Sequence, residues 1–236
     1  MRITSALAIV AALAVPGFGA GRAIAAEDEG VALAIVYDTS GSMKDAVRDT
    51  NGKPAPKYVI ANRALMAIAK ELQTFAANGP GGAPRNIQAG LFVFHGDSAR
   101  PVVKFGPFDA AAFEGFARRF SHPSGNTPLG NSLRLAAQTV LDSPLPHKHV
   151  LIITDGMNTV GPKPEEVMPA LQRQAAKRGA SVSVHFVAFD ADAGIFSPVK
   201  KLGATVVGAA DEKQLNTQLD FIMQRKILLE EEEPRK

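Results

Sequence analysis

Three apolar runs of strand length, separated by segments with helical periodicity, constrain the fold of this chain most strongly. They are VALAIVYD (31–38), HVLIITD (149–155) and SVSVHFVAF (181–189). Runs that are apolar on both faces are typical of strands buried inside a parallel sheet, and parallel strands need long, usually helical, crossovers. The alternation therefore predicts an α/β fold with three layers (αβα), in which a Rossmann-like, mostly parallel central sheet is covered by helices on both sides.

The remaining segments add further elements to this prediction. Apolar residues at steps of three and four between Ala61 and Phe75 indicate one face of a long helix. Strand-like runs at 87–95 and 101–105, joined by GDSAR, predict a hairpin that adds one antiparallel edge strand. The polar stretch at 44–56 predicts a long loop. We also expect helices at 109–120, 128–142, 164–178 and 211–228, a helical turn at 193–202 and a short strand at 204–207.

The N-terminal segment is typical of a secretory signal peptide. Arg2 precedes the apolar stretch at 6–15, and an A-x-A site ends at Ala25, where we expect cleavage. An uncleaved anchor is the alternative, but a membrane span needs about 20 apolar residues. The mature protein is therefore expected to be exported, periplasmic or secreted, without a stable membrane anchor. We expect a signal peptide at 1–25, one domain at 26–229 and a charged tail at 230–236.

Charge and cysteine content argue against several classes of protein. The formal net charge is +3, but removal of Arg2 and Arg22 with the signal peptide leaves 24 basic against 23 acidic residues. A nucleic-acid-binding surface needs a clustered basic face, and the sequence has none, so we expect no nucleic-acid partner. The chain has no cysteine, which excludes disulfides, thiolate chemistry and a lipid anchor on cysteine.

Polar side chains that suit a metal ion follow the apolar strands. Two strands end in Asp38 and Asp155, and ligands bind α/β sheets at the carboxyl ends of strands. Ser40 and Ser42 follow Asp38 at alternate positions, and Thr127, at the expected N-cap of the next helix, should lie beside the same edge. Carboxylate and hydroxyl oxygens suit Mg²⁺, which takes oxygen ligands at about 2.1 Å. The alternative is that these side chains only cap helices.

These residues resemble the metal-ion-dependent adhesion site (MIDAS) of von Willebrand factor type A domains. DTSGS (38–42) matches the D-x-S-x-S signature, and SGNTPLG (124–130) and IITDG (152–156) match the other two metal-contacting loops in the expected order. The resemblance covers about residues 30–228 and implies the von Willebrand A fold. It implies Mg²⁺, with Mn²⁺ or Ca²⁺ as alternatives, and a protein partner that supplies an Asp or Glu carboxylate. The metal-site residues that it implies are Asp38, Ser40, Ser42, Thr127 and Asp155.

We expect a non-enzymatic binding module, monomeric, that captures its partner through the metal. One alternative is an accessory factor in the assembly of a periplasmic enzyme complex, which would use the same chemistry. Another is a metal-assisted hydrolase that polarises a phosphoryl or carbonyl oxygen. Neither Ser40 nor Ser42 lies in a G-x-S-x-G elbow, and the general bases open to proposal are His122 and an acid such as Asp190.

Several other polar residues are weighed and mostly interpreted as ordinary polar or solvated side chains. His147 and His149 have the alternate spacing that two zinc ligands on a strand can use, but the sequence shows no third ligand. Asp190 and Asp192 have a second interpretation, as groups that support the metal site from the end of the strand at 181–189. Asp45 and Asp49 have a second interpretation, as part of a partner surface, and His95 and His122 as pH-sensing groups near the edge.

Overall fold

The computed structural model describes residues 30–79 and 82–228. The expected signal peptide (1–25) and charged tail (230–236) lie outside the described residues. Among the described helices, none combines the length and the apolar character that crossing a membrane requires.

Strands and helices alternate along the described chain, as the apolar runs predicted. The strands are β1 (Val31–Tyr37), β2 (Ala46–Arg48), β3 (Pro54–Pro56), β4 (Ile87–His95), β5 (Ser98–Pro107), β6 (His147–Thr154), β7 (Ser183–Phe189) and β8 (Thr205–Ala209). The helices are α1 (Lys57–Ala77), α2 (Ala110–Arg119), α3 (Leu129–Leu141), α4 (Pro164–Lys177), α5 (Ser197–Lys201) and α6 (Glu212–Ile222). Short 3₁₀ turns lie at Gly41–Lys44 and Ala193–Phe196, and a π-helical turn at Met223–Leu228 follows α6.

Six strands form the central sheet in the order β5-β4-β1-β6-β7-β8. β1 pairs in parallel with β4 and β6, and β7 pairs in parallel with β6 and β8. β4 and β5 pair antiparallel at one edge, which confirms the prediction of a mostly parallel sheet with one antiparallel edge strand. Because β1 and β6 are neighbours and Tyr37 lies opposite Ile153, Asp38 and Asp155 follow adjacent strand ends.

Helices cover both faces of the sheet, which explains why β1 is apolar along its whole length. Leu33 and Ile35 face the layer formed by α1, α2 and α6, whereas Ala34 and Val36 face the layer formed by α3, α4 and α5. All four side chains are fully buried. Burying a large aliphatic side chain in this way contributes about 1.5–3 kcal/mol, so the two layers together hold the sheet without disulfides.

The prediction of a long loop at 44–56 is wrong in part. This segment contains an antiparallel hairpin of β2 and β3, in which Val47 is buried against the core. Each strand has three residues and β3 contains two prolines, so the segment lacks the apolar alternation by which strands are recognised. The hairpin leads directly into α1, whose first backbone N–H, at Lys57, donates to Asp45 O at 2.9 Å.

The edge hairpin turns more tightly than predicted. β5 begins at Ser98, opposite His95 of β4, so Gly96 and Asp97 alone form the turn. Gly96 has φ of +61°, a conformation that glycine adopts without steric cost.

Candidate metal site

Three loops meet at the carboxyl edge of the sheet, next to the ends of β1 and β6. The N–H of Gly41, after β1, donates to Gly125 O at 3.2 Å in the loop before α3. In that loop the N–H of Thr127 donates to Thr159 Oγ1 at 2.8 Å, and the N–H of Thr159 donates back to Thr127 O at 2.9 Å. These bonds hold together the segments that carry the five residues of the predicted site.

Asp38 is a fully buried carboxylate with a partner for each oxygen. Its Oδ1 accepts a hydrogen bond from the N–H of Ser40 at 2.7 Å, and its Oδ2 accepts one from the hydroxyl of Thr154 at 2.6 Å. Burial raises the pKa of Asp38 to about 6; the hydrogen bonds from Ser40 and Thr154 lower it, and the charge of Asp155 raises it further. A carboxylate that is costly to ionise in this way is one that a bound cation would stabilise.

The two serines of the signature and Asp155 are in direct contact. Ser42 donates a hydrogen bond to Asp155 Oδ1 at 2.8 Å, and the hydroxyl oxygens of Ser40 and Ser42 lie 3.1 Å apart. Ser40 and Asp155 are buried, whereas Ser42 is exposed. Alternate side chains of the turn therefore converge on one place, and Ser42 gives that place access to solvent.

Thr127 is buried in the loop whose Gly125 contacts Gly41 of the DTSGS turn, but it does not cap a helix. The prediction that it is the N-cap of the following helix is wrong, because α3 begins at Leu129 and its N-cap is Pro128, without a side-chain capping bond. Ser40 precedes the 3₁₀ turn at Gly41–Lys44 and makes no capping bond either. The interpretation of these two hydroxyls as helix caps therefore has no support in the structure.

Lys57, which the sequence did not single out, lies among the acidic groups of the site. Its Nζ donates a hydrogen bond to Asp155 Oδ2 at 3.0 Å and forms a salt bridge with Asp190 Oδ2, also at 3.0 Å. Lys57 is 5% exposed. Asp190 is therefore more than a solvated loop acid. Two acids at neighbouring strand ends suggest that a basic side chain lies nearby to balance their charge. The sequence does not show which one, because Lys57 lies in a polar segment with no pattern that distinguishes it from other lysines.

The other candidate residues have local roles. Asp49 Oδ1 accepts hydrogen bonds from two N–H groups of the β2–β3 turn, and Asp192 caps the 3₁₀ turn at Ala193–Phe196. His122 is exposed and contacts the neighbouring Ser121. Asp45 and His95 are exposed, as expected for solvated side chains.

The alternate histidines of β6 do not form a metal cluster. His149 is buried and its Nδ1 lies 3.3 Å from His185 Nε2 of β7. Across residues 30–79 and 82–228, no group of three or more His, Asp or Glu side chains is arranged to hold a metal ion. The zinc alternative for His147 and His149 therefore lacks a third ligand in the structure as it does in the sequence.

The donor set at the strand ends suits a hard divalent cation. All five side chains offer oxygen, three of them as neutral hydroxyls, and Mg²⁺ accepts such ligands together with water. The two carboxylates match the double charge of the ion. The residues that would hold it are the five predicted ones, Asp38, Ser40, Ser42, Thr127 and Asp155.

The class of protein follows from two features. The domain has three α/β layers with this strand order, and hydroxyl and carboxylate groups lie together at the carboxyl edge of β1 and β6. The chain belongs to the von Willebrand factor type A domain family, whose model matches residues 32–218. This confirms the resemblance that the DTSGS signature indicated. Members of the family often mediate protein–protein interactions through a MIDAS and commonly bind a divalent metal there.

Solved structures with the same fold come from diverse proteins. The PilB minor pilin from Streptococcus sanguinis matches with 17% identity and a TM-score of 0.61, over 84% of this chain and 61% of that chain. Proximal thread matrix protein 1 of the mussel byssus, in a structure with a zinc-occupied MIDAS motif, matches with 15% identity and a TM-score of 0.59, over 83% and 48%. The SpRpn10 VWA domain matches with 12% identity and a TM-score of 0.54, over 83% and 95%.

At these identities the likeness shows the fold. This chain spans about three fifths of the pilin and about half of the mussel protein. No curated protein sequence matches it.

Proposed function

We propose that this chain is an exported, non-enzymatic binding module that holds Mg²⁺ at the carboxyl edge of its sheet and captures a protein partner through a carboxylate of that partner. Mn²⁺ and Ca²⁺ are the alternative ions. The observation that carries the proposal is the contact of Ser42 with both Ser40 and Asp155, above the buried carboxylate of Asp38. The site residues proposed are Asp38, Ser40, Ser42, Thr127 and Asp155.

Each residue has a defined part in this function. Ser40, Ser42 and Thr127 offer neutral oxygens, while Asp38 and Asp155 supply negative charge directly or through water. The ion, when bound, supplies an electrophilic centre that accepts one more oxygen ligand. Thr154 keeps Asp38 in place through its 2.6 Å hydrogen bond.

An exposed apolar side chain next to the site supports a protein partner. Met157, two residues after Asp155, is 63% exposed. Methionine is a flexible apolar side chain that is common at protein-binding surfaces. A partner that places a carboxylate at the metal site would have an apolar contact available within the same loop.

The hydrogen bonds of the two serines favour binding over hydrolysis. Within the described residues 30–79 and 82–228, the side-chain contacts of Ser40 and Ser42 go to each other and to acidic groups, and none goes to a histidine. An activated serine nucleophile needs a neighbouring general base. A screen of phosphatase and esterase substrates with and without Mg²⁺ tests this point, and metal-dependent turnover would contradict it.

Affinity capture from an envelope extract tests the function directly. The purified domain is used as bait in Mg²⁺, beside Asp38→Ala and a chelator control. We expect one partner to be recovered with wild-type domain and Mg²⁺ and to be lost in both controls, which would also distinguish an adhesin from an assembly factor by naming the partner. Capture that persists in chelator and in Asp38→Ala would refute the proposal.

A further inference from the structure

Lys57 is a buried cation in direct contact with the candidate metal site. Its Nζ lies 3.0 Å from Asp155 Oδ2 and 3.0 Å from Asp190 Oδ2, and its side chain is 6% exposed. Burial lowers the pKa of Lys57, but hydrogen bonds and charge interactions with Asp190 and Asp155 outweigh this effect and raise it. Its two salt bridges at 3.0 Å pair the side chain, as an ammonium, with two carboxylates.

The backbone fixes both ends of this contact. Lys57 begins α1, and its N–H donates to Asp45 O at 2.9 Å. Asp190 follows β7 with φ of +53°, and its N–H donates to Ala209 O at 2.7 Å. A buried lysine is costly unless it is paired. The backbone holds Lys57 and Asp190 in place, so the pairing of this lysine with two acids is a fixed part of the sheet edge.

The contact engages Asp155 completely. Its Oδ1 accepts a hydrogen bond from Ser42 at 2.8 Å, and its Oδ2 accepts one from Lys57. A divalent ion that draws on the charge of Asp155 must therefore share this carboxylate with the ammonium. Two cations close to one carboxylate repel each other, and the repulsion is strong where water is excluded.

The charge balance of the site points to the consequence. Asp38, Asp155 and Asp190 contribute three negative charges and Lys57 one positive charge, which leaves a net charge of −2 at this edge. A bound divalent ion brings this to zero, so that a carboxylate from a partner meets no net negative charge. Without the ammonium, the ion-loaded site would be at −1 and would repel a carboxylate.

We propose that Lys57 is a specificity-determining residue that weakens the binding of the divalent ion to the free domain and keeps the ion-loaded site from repelling the carboxylate of a partner. This inference depends on the proposed function and deepens it. The ammonium repels the ion and attracts the carboxylate, so its removal should strengthen the binding of the ion and weaken the binding of the carboxylate to the ion-loaded site.

Titration calorimetry with Mg²⁺ on purified variants tests this role. Lys57→Met removes the charge and keeps a long side chain, and we expect Mg²⁺ to bind at least about tenfold more tightly. Asp190→Asn has the opposite effect, several-fold weaker binding, because Lys57 is then left to Asp155 alone. Asparagine tolerates the left-handed backbone at this position. Lys53→Met, at an exposed lysine of the β2–β3 turn, is the matched control and should change nothing.

A second measurement covers selectivity and folding. Excess acetate should tighten Mg²⁺ binding to wild type more than excess chloride does, and Lys57→Met should lose this difference. If Lys57→Met does not fold without Mg²⁺, the Asp190→Asn result decides. Unchanged or tighter Mg²⁺ binding in Asp190→Asn, or unchanged binding in a folded Lys57→Met, would overturn the proposal.

The outcomes also separate this inference from the proposed function. In one outcome, wild type binds Mg²⁺, Asp38→Asn does not, and Lys57→Met binds it as tightly as wild type. This outcome contradicts only the role of Lys57. Absence of Mg²⁺ binding in both wild type and Lys57→Met contradicts both proposals. Binding that emerges only in Lys57→Met supports the role of Lys57 and shows that the ammonium excludes the ion from the native site.

Discussion

The hydroxyl of Thr154, the last residue of β6, donates a 2.6 Å hydrogen bond to Oδ2 of Asp38, the first residue after β1. This bond crosses between the two central strands at the point where both end. It belongs to the fold, because Thr154 is fully buried in the strand, and to the site, because Asp38 opens the DTSGS turn. The candidate site is therefore supported from below by the sheet.

Asp38→Asn should stabilise the metal-free domain. The folded pKa of Asp38 is about 6 against an ordinary value of 3.8, so its ionised form is disfavoured in the fold. The protonated form of Asp38 favours the folded state, so its contribution to stability is complete below about pH 4. It is lost as the pH rises to about 6 and stays lost at pH 7. We expect Asp38→Asn to raise the free energy of unfolding at pH 7 by on the order of 3 kcal/mol, measured by urea unfolding in chelator.

The same variant should lose the response to metal. Thr154 can accept a hydrogen bond from the new amide while it donates to Gly156 O, 3.3 Å away, so the packing is kept. Wild type should gain in Tm on addition of Mg²⁺, and Asp38→Asn should not. Asp45→Asn, at an exposed acid of the adjoining turn, is the control and should behave like wild type. A less stable Asp38→Asn in chelator would contradict the argument.

Thr154→Val should destabilise the domain although valine matches threonine in shape. It removes the donor to an ionised carboxylate, and a hydrogen bond to a charged group contributes about 1.5–3 kcal/mol. We expect a loss of this size in chelator at pH 7, where Asp38 is ionised, and little loss for Thr154→Ser. In the Asp38→Asn background the cost of Thr154→Val should shrink; an equal cost in both backgrounds would show that packing alone is responsible.

The central part of the fold was predictable because burial on both faces leaves a clear mark on the sequence. β1 and β6 are apolar throughout, and each is followed directly by an acid, so the adjacency of Asp38 and Asp155 follows from the rule for strand ends. The antiparallel edge followed from the short connection between the runs at 87–95 and 101–105. These inferences need only local pattern and topology.

The surroundings of the site were not predictable in the same way. Lys57 reaches Asp155 across 98 positions of sequence, and its role depends on the β2–β3 hairpin, which brings the start of α1 to the sheet edge. Asp190 looked like a solvated acid because its partner Lys57 is even more distant in the sequence. Thr154 was hidden inside an apolar run, where a threonine is expected simply as a strand former.

Arg63→Met should destabilise the domain and loosen the attachment of the β2–β3 turn to α6. Glu212, at the start of α6, accepts two hydrogen bonds from Arg63 at 2.6 and 2.8 Å and one from the N–H of Thr50 at 2.9 Å. The carboxylate of Glu212 is buried, so loss of Arg63 leaves an unpaired charge and should cost about 2–3 kcal/mol. Urea unfolding gives the cost, and hydrogen exchange at Thr50 reports on the hairpin.

A double variant separates the charge from the packing. Arg63→Met combined with Glu212→Gln removes both charges and should recover part of the lost stability. Arg118→Met, which breaks an exposed pair with Glu114 one helical turn away, is the control and should cost less than about 0.5 kcal/mol. A cost in Arg63→Met no larger than this control would show that the pair with Glu212 does not hold the hairpin.

Acid should destabilise the domain through the buried pair of His149 and His185. Burial lowers the pKa of His149 to about 3, with His185 and then His147 adding to the effect, and burial with the nearby charge of Lys226 lowers that of His185 to about 4. The unfolded chain takes up these protons near pH 6.5 and the folded domain does not. Stability should therefore fall from about pH 6.5 to about 4, by up to ~1.4 kcal/mol per pH unit for each histidine.

The Asp38→Asn background gives the cleanest measurement, because the raised pKa of Asp38 acts with the opposite sign between about pH 4 and 6. In that background, His185→Leu removes one of the two titrating groups and should reduce the slope of unfolding free energy against pH by about half. His122→Leu, at an exposed histidine, should leave the slope unchanged. A slope that is the same in His185→Leu would mean that the buried pair does not set the acid sensitivity of this fold.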